Sequence, residues 1–137
     1  MSNPCALIVD DDRPIRALLS ATLKRHGIVC DDAADGDIAI ERLRTTTYSV
    51  VLLDLMMPKV NGFEVMAYMH ENDVRSAVIV LSAGSQAVLD KVDHDRVVQI
   101  FRKPFDINSV TIQVLESCGL PVPDKLRELV ATRRSED

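Results

Sequence analysis

The sequence has no tryptophan, and only two tyrosines and three phenylalanines. A core must therefore come from Val, Leu, Ile, Ala and Met rather than from aromatic rings. Cysteine is scarce as well. Cys5, Cys30 and Cys118 are odd in number, scattered, and without metal-site spacing. A disulfide framework is excluded, and free thiols in a reducing cytosol are expected. No apolar run approaches the ~18 residues of a membrane span. Met1-Ser2-Asn3-Pro4 lacks the basic and long apolar regions of a secretory signal. Positive charge is also in deficit: the net charge is −5. That gives no broad basic field for direct contact with nucleic acid or an anionic membrane. Internal repeats and low-complexity stretches are absent. What remains is a chain of 137 residues, 47% of them apolar, which fits one globular domain with a real core.

The most informative stretch that is present runs from Val50 to Gly62. Val50-Val51-Leu52-Leu53 is the short continuous apolar run of a strand buried on both faces, as in a parallel sheet. It leads straight into Asp54. Pro58 stops the strand, and Asn61-Gly62 supplies turn chemistry. Asp54 thus stands at the carboxyl end of a buried strand, the edge where open α/β sheets bind ligands. A carboxylate there can also do no more than cap the loop. The rest of the chain decides between the two.

Cys5-Ala6-Leu7-Ile8-Val9 reads as a first strand ending in Asp10-Asp11-Asp12. Three adjacent carboxylates repel each other, so either water solvates them or a divalent cation compensates them. A helix follows, with Pro14 near its start, Ile15, Leu18, Leu19 and Leu23 at helical spacing, and Gly27 as its stop. His26 sits in its last turn. Ile28-Val29-Cys30 is a weaker second strand. Asp35-Gly36-Asp37 opens a helix carrying Ile38, Ala39 and Leu43, and Thr45-Thr46-Thr47 continue it poorly. After the Val50–Leu53 strand, Phe63 to Met69 form a helix whose methionines read as core filler. Ala77–Leu81 is a strand ending in Ser82-Ala83-Gly84. Ser85 caps a polar fourth helix expected to reach Val92. Val97–Phe101 is the fifth strand, ending in Arg102-Lys103-Pro104, and Asp106 caps a last helix carrying Ile107, Val110, Val114 and Leu115. His70 and His94 read as surface residues. Five strands alternating with five helices predict a doubly wound, five-stranded parallel α/β sheet with right-handed crossovers.

Four strand ends then carry polar groups: Asp10-Asp11-Asp12, Asp54, Ser82 and Lys103. In parallel strands all four share one edge. Carboxylates offer Mg²⁺ its preferred oxygen. Asp54 is the candidate nucleophile, since a carboxylate can form an acyl phosphate. Lys103 offers a positive charge, and Ser82 a hydroxyl, to the oxygens of a transferred group.

Residues 5 to 117 resemble the response-regulator receiver domain of two-component signalling. The motifs that carry the likeness are Leu7-Ile8-Val9-Asp10-Asp11-Asp12, Leu53-Asp54-Leu55-Met56-Met57-Pro58 with Gly62, Leu81-Ser82-Ala83 and Lys103-Pro104-Phe105. The resemblance implies a flavodoxin-like fold with strand order 2-1-3-4-5. It implies phosphorylation of Asp54 from the phosphohistidine of a histidine kinase or phosphotransfer protein, with a downstream effector or output domain as the other partner. Asp11, Asp54 and the main-chain carbonyl of Met56 would ligate Mg²⁺, and Asp10 would act through a bound water. Asp12 falls outside the acidic pair and reads as a helix-start residue. Ser82 takes the family's Ser/Thr switch position. Beyond self-phosphorylation from a donor and slow self-dephosphorylation, no enzyme activity is implied.

The chain departs from the family in two places. Ile100 stands where an aromatic usually does, three residues before Lys103, with Phe101 beside it. The segment from Ser82 to Lys103 is one residue shorter than usual. Met56 and Gly84, at the variable positions flanking the phosphoryl group, cannot position an attacking water, so loss of phosphate should be slow. The missing aromatic leaves open an interaction module that works without phosphate. A flavin enzyme is disfavoured by the acidic turn, a dinucleotide enzyme by the absence of Gly-x-Gly-x-x-Gly, and an aspartyl phosphatase by Met56 where a second acid belongs. The expected division is a receiver over 1–118 and an extension over 119–137. Gly119-Leu120-Pro121-Val122-Pro123 breaks the last helix. Leu126, Leu129 and Val130 then suggest a further helix ending at Arg133-Arg134: laid on the receiver, part of a linker, or forming a dimer.

Overall fold

The computed structural model describes residues 3–136, with side chains to residue 132. Met1 and Ser2, read above as free of a signal segment, lie outside the described residues, as do the side chains of Arg133 and Arg134. Five strands form the sheet: β1 (Cys5–Val9), β2 (Val29–Ala33), β3 (Val50–Asp54), β4 (Ala77–Ser82) and β5 (Gln99–Arg102). They alternate with α1 (Arg13–Arg25), α2 (Gly36–Thr45), α3 (Gly62–Glu71), α4 (Gln86–Leu89) and α5 (Ile107–Ser117), and α6 (Asp124–Glu136) follows. The sheet is entirely parallel, in the order β2-β1-β3-β4-β5. That is the expected flavodoxin-like order.

Side-chain alternation explains why the central strands read as continuous apolar runs. Leu7, Val9, Val51, Leu53, Val78 and Val80 point to one face, against Ala39 and Leu43 of α2 and Val65, Met66 and Met69 of α3. Ala6, Ile8, Val50, Leu52, Ile79 and Leu81 point to the other, against Leu19 and Leu23 of α1 and Val110, Val114 and Leu115 of α5. Both methionines of α3 are core, as their spacing suggests. Side-chain caps start the helices where expected: Asp12, Asp35, Asn61, Ser85 and Asp106 each accept a backbone N–H of the first turn. Gly27 ends α1 with φ +82°, which a side chain rarely adopts.

Three elements differ from the sequence pattern. The apolar run stops the second strand at Cys30, but β2 continues through Asp31 and Asp32 to Ala33. Both acids are satisfied from a distance. Asp31 accepts a 2.6 Å hydrogen bond from the Tyr48 hydroxyl, and Asp32 pairs with Arg16 at 3.0 Å. The fifth strand begins at Gln99 rather than Val97, because its ladder with β4 starts at Ile79 opposite Gln99. The fourth helix does not reach Val92. It is one turn long, and a 3₁₀ turn, His94–Arg96, follows it. The Asp93 carboxylate accepts the Asp95 N–H at 3.1 Å, a local bond that competes with helix.

The extension folds back as a helix. The Pro123 carbonyl accepts the N–H groups of Leu126 and Arg127, and Arg127 approaches Glu116 of α5 at 3.4 Å. Leu126 is buried with Leu19, Leu23 and Val114, and Leu120 and Val122 pack beside it, while Leu129 is 46% exposed. The start of α6 thus lies against the α1–α5 side of the core. We expect Leu126→Ala to lower stability by about 2 kcal/mol and Leu129→Ala by less than about 0.5 kcal/mol. Urea unfolding of the two variants checks both, and equal losses would contradict this packing.

Candidate functional site

β1, β3, β4 and β5 end on the same edge, and their register fixes what meets there. Val9 pairs with Leu53, Asp54 with Leu81, and Ser82 with Arg102. The residues at or just past these ends are Asp10, Asp54, Ser82 and Lys103. Asp10, Asp54 and Ser82 are buried, at 0%, 3% and 1% exposure, whereas Asp11 faces solvent. One carboxylate oxygen from each of Asp10, Asp11 and Asp54 lies within 4.8 Å of the others. The Lys103 ammonium stands 2.8 Å from Asp10 Oδ2 and 3.5 Å from Asp54 Oδ2. Asp10, Asp11, Asp54, Ser82 and Lys103 thus lie along one edge of the sheet.

Backbone groups hold the acids in place. The Asp12 N–H donates to Asp10 Oδ1 at 2.8 Å, and the Met56 N–H to Asp54 Oδ1 at 3.1 Å. The Ser82 hydroxyl accepts the Gly84 N–H at 3.0 Å, and the Lys103 N–H donates to the Ser82 carbonyl at 2.8 Å. Gly62 is dictated by crowding, since a Cβ there would lie 2.4 Å from the Asp54 carbonyl oxygen. That close approach brings the start of α3 against the end of β3. Ile100 packs on the α2–α3 side of the sheet and Phe101 on the α1–α5 side. Phe101 therefore does not stand in for the aromatic absent at Ile100.

Three carboxylates meet here and the one ammonium beside them pairs with two, Asp10 and Asp54, so the cleft keeps excess negative charge. Burial pushes the Asp54 carboxyl up to about 6, and the charges of Asp10 and Asp11 push the same way. The Met56 N–H and Lys103 oppose them without prevailing. For Lys103, burial disfavours the charged form. Asp10 and Asp54 outweigh it and hold the ammonium above its usual range. Asp10 Oδ2 is buried and has no aligned hydrogen bond, although the Lys103 charge lies beside it. Clustered carboxylate oxygens, surplus negative charge and an incompletely satisfied buried oxygen suit a hard divalent cation. One participant has no sequence signal. Arg16 of α1 donates to the Asp10 carbonyl at 2.7 Å, and sequence does not display carbonyls.

Residues 6–115 match the family model described as the response regulator receiver domain. The chain belongs to that family. The receiver is 37% identical over 81 residues to the transcriptional regulatory protein ResD of Bacillus subtilis, covering 59% of this chain and 34% of that protein. It is 32% identical over 113 residues to sporulation initiation phosphotransferase F of Bacillus subtilis, covering 80% and 90%. The chain thus spans about a third of the length of regulators such as ResD and DltR. A Francisella response regulator receiver domain superposes with a TM-score of 0.77 at 27% identity, covering 85% of this chain and 98% of that one. The Thermotoga maritima response regulator TrrA, solved in complex with Mg²⁺–BeF, gives 0.74 at 26% identity, with coverage of 83% and 98%.

The raised pKa of Asp54 links stability to pH. Between the ordinary value of 3.8 and about 6 the folded receiver binds more protons than the unfolded chain. Stability contributed by this group therefore falls as pH rises through that window and stays low above it. Without divalent cation, Asp54→Asn should stabilise the receiver at pH 7 by about 1–2 kcal/mol, an advantage that disappears below about pH 4. Urea unfolding at both pH values tests this, and a variant less stable than wild type at pH 7 contradicts it.

Proposed function

We propose that the receiver accepts a phosphoryl group on Asp54 from the phosphohistidine of a histidine kinase or phosphotransfer protein, in a Mg²⁺-dependent reaction. The observation that carries this reading is the Asp54 carboxylate, buried between two further acids and the Lys103 ammonium at the carboxyl edge of the sheet. Asp11, Asp54 and the Met56 main-chain carbonyl would hold the ion, with Asp10 acting through a bound water. When bound, Mg²⁺ offsets the repulsion between the acids and an anionic phosphoryl group.

Asp54 attacks phosphorus, the phosphorus–nitrogen bond to the donor imidazole breaks, and an acyl phosphate forms on the aspartate. The Lys103 ammonium pairs with the oxygens of the transferred group. Ser82 already accepts the Gly84 N–H, so its own O–H proton remains to donate to a phosphoryl oxygen. Drawing Ser82 and Lys103 toward phosphate would alter the receiver surface for an effector or output domain. The Mg²⁺–BeF complex of TrrA and the phosphotransferase among the relatives favour this reading.

A second reading, an interaction module independent of phosphate, rests on Ile100. The family's aromatic switch is missing there, and Phe101 faces the opposite side. The complete Asp/Ser/Lys set weighs against it. We take residues 1–118 as the receiver and 119–137 as an extension that packs on it or pairs with a second copy. A cytoplasmic setting fits free thiols and two-component relatives, and no helix of the described residues is long and apolar enough to cross a membrane. The net charge of −5 lends no support to direct contact with nucleic acid.

Incubation with acetyl phosphate and Mg²⁺, followed by intact mass, should show a gain of one phosphoryl group. Asp54→Asn should abolish the gain and a chelator suppress it. Met56 is 53% exposed with an apolar side chain, and Gly84 has none. Neither can orient a hydrolytic water, so the phosphoryl group should be lost slowly. A half-life of seconds would contradict that point, and no mass gain would contradict the phosphoacceptor itself.

A further inference from the structure

We propose that Arg16 is a positioning residue for the cation site, a clamp that fixes the shape of the Asp10-Asp11-Asp12 turn. The proposal rests on the Mg²⁺ reading above. Three adjacent carboxylates repel each other, and a turn carrying them opens unless something outside it holds it closed. The Arg16 side chain grips the start of the turn: its Nη1 donates to the Asp10 carbonyl at 2.7 Å. The far end is held by α1 itself, whose first helical bond runs from the Arg16 N–H to the Asp12 carbonyl at 3.1 Å. The guanidinium is anchored in turn, because Nε donates to Asp32 Oδ2 at 3.0 Å. The Arg16 side chain is 14% exposed, so these bonds are only partly screened.

The Asp10 carbonyl belongs to the peptide joining Asp10 to Asp11. Fixing its plane sets the direction in which Asp11 leaves the chain. The neighbouring groups are also tied: the Asp10 N–H to the Ala33 carbonyl, and the Asp12 N–H to Asp10 Oδ1. Two peptides flank the exposed ligand Asp11; the second is held by the Asp12 N–H on Asp10 Oδ1, and loss of the guanidinium contact frees the first. A planar fork can hold a carbonyl and a carboxylate at once. An ammonium in its place has no such fixed geometry.

Electrostatics and positioning predict opposite signs, which makes the role separable. A positive charge beside three acids repels a divalent cation, so charge alone would have Arg16→Ala bind metal more tightly. Loss of positioning would have it bind more weakly. Mn²⁺ binding to the full, metal-free chain can be followed by the electron paramagnetic resonance of the free ion, below the unfolding transition. We expect Arg16→Ala to weaken Mn²⁺ binding roughly tenfold, as for other groups that orient metal ligands. Arg16→Lys should also bind more weakly than wild type. Hydrogen exchange at the Asp11 and Asp12 amides of the metal-free variants should quicken. Unchanged or tighter binding by Arg16→Ala, or wild-type affinity in Arg16→Lys, overturns the proposal. So does a lowered unfolding midpoint with unchanged affinity, the mark of a merely structural residue. A wild-type chain that takes up no Mn²⁺ overturns the metal reading itself, which separates that failure from a failure of the clamp.

Discussion

The ammonium of Lys103, shared between Asp10 and Asp54, is the contact on which the rest of the receiver edge depends. Two carboxylates buried side by side repel each other and lose hydration, a combination that opens a cleft unless a cation stands between them. Lys103 follows β5, at one border of the sheet, yet reaches an acid at the end of β1, three places away in the strand order. The compensation is incomplete. Lys103 draws the pKa of Asp54 down, but burial, with the charges of Asp10 and Asp11 behind it, keeps it raised. An apolar sheet with helices on both faces supplies the stability against which this edge is held.

The same imbalance gives the edge its chemistry. An acid held near pH 6 in the absence of metal is poised to gain from a divalent cation. Gly62 and the Met56 N–H set the backbone around Asp54 without adding a side chain that would fill the cleft. Arg16 plays the matching part on the other side, holding the acidic turn through a carbonyl and leaving the carboxylates of Asp11 and Asp12 outside its grip.

What could be read from the sequence follows from where side chains face. Val50–Leu53 and Ala77–Leu81 declared themselves because both their faces are buried, and polar residues ending such runs stood out as a site. β2 was harder. Its acids are balanced by Tyr48 and Arg16, 17 and 16 residues away, and pairings of that kind leave no local pattern. The shortened fourth helix was masked because Leu89 and Val92 are both buried, the spacing of a helix that stops before it reaches the second. Arg16 was invisible for another reason: its partner at the cleft is main chain. The Asp, Ser and Lys set needed no partner in sequence to be seen.

The most direct test of the shared cation is a crystal of the receiver soaked with Mg²⁺ and beryllofluoride. The account predicts an ion against Asp11 and Asp54, beryllofluoride on Asp54, and the Lys103 ammonium within roughly 3 Å of the fluoride. An empty cleft, or an ammonium lying away from both acids, would contradict it.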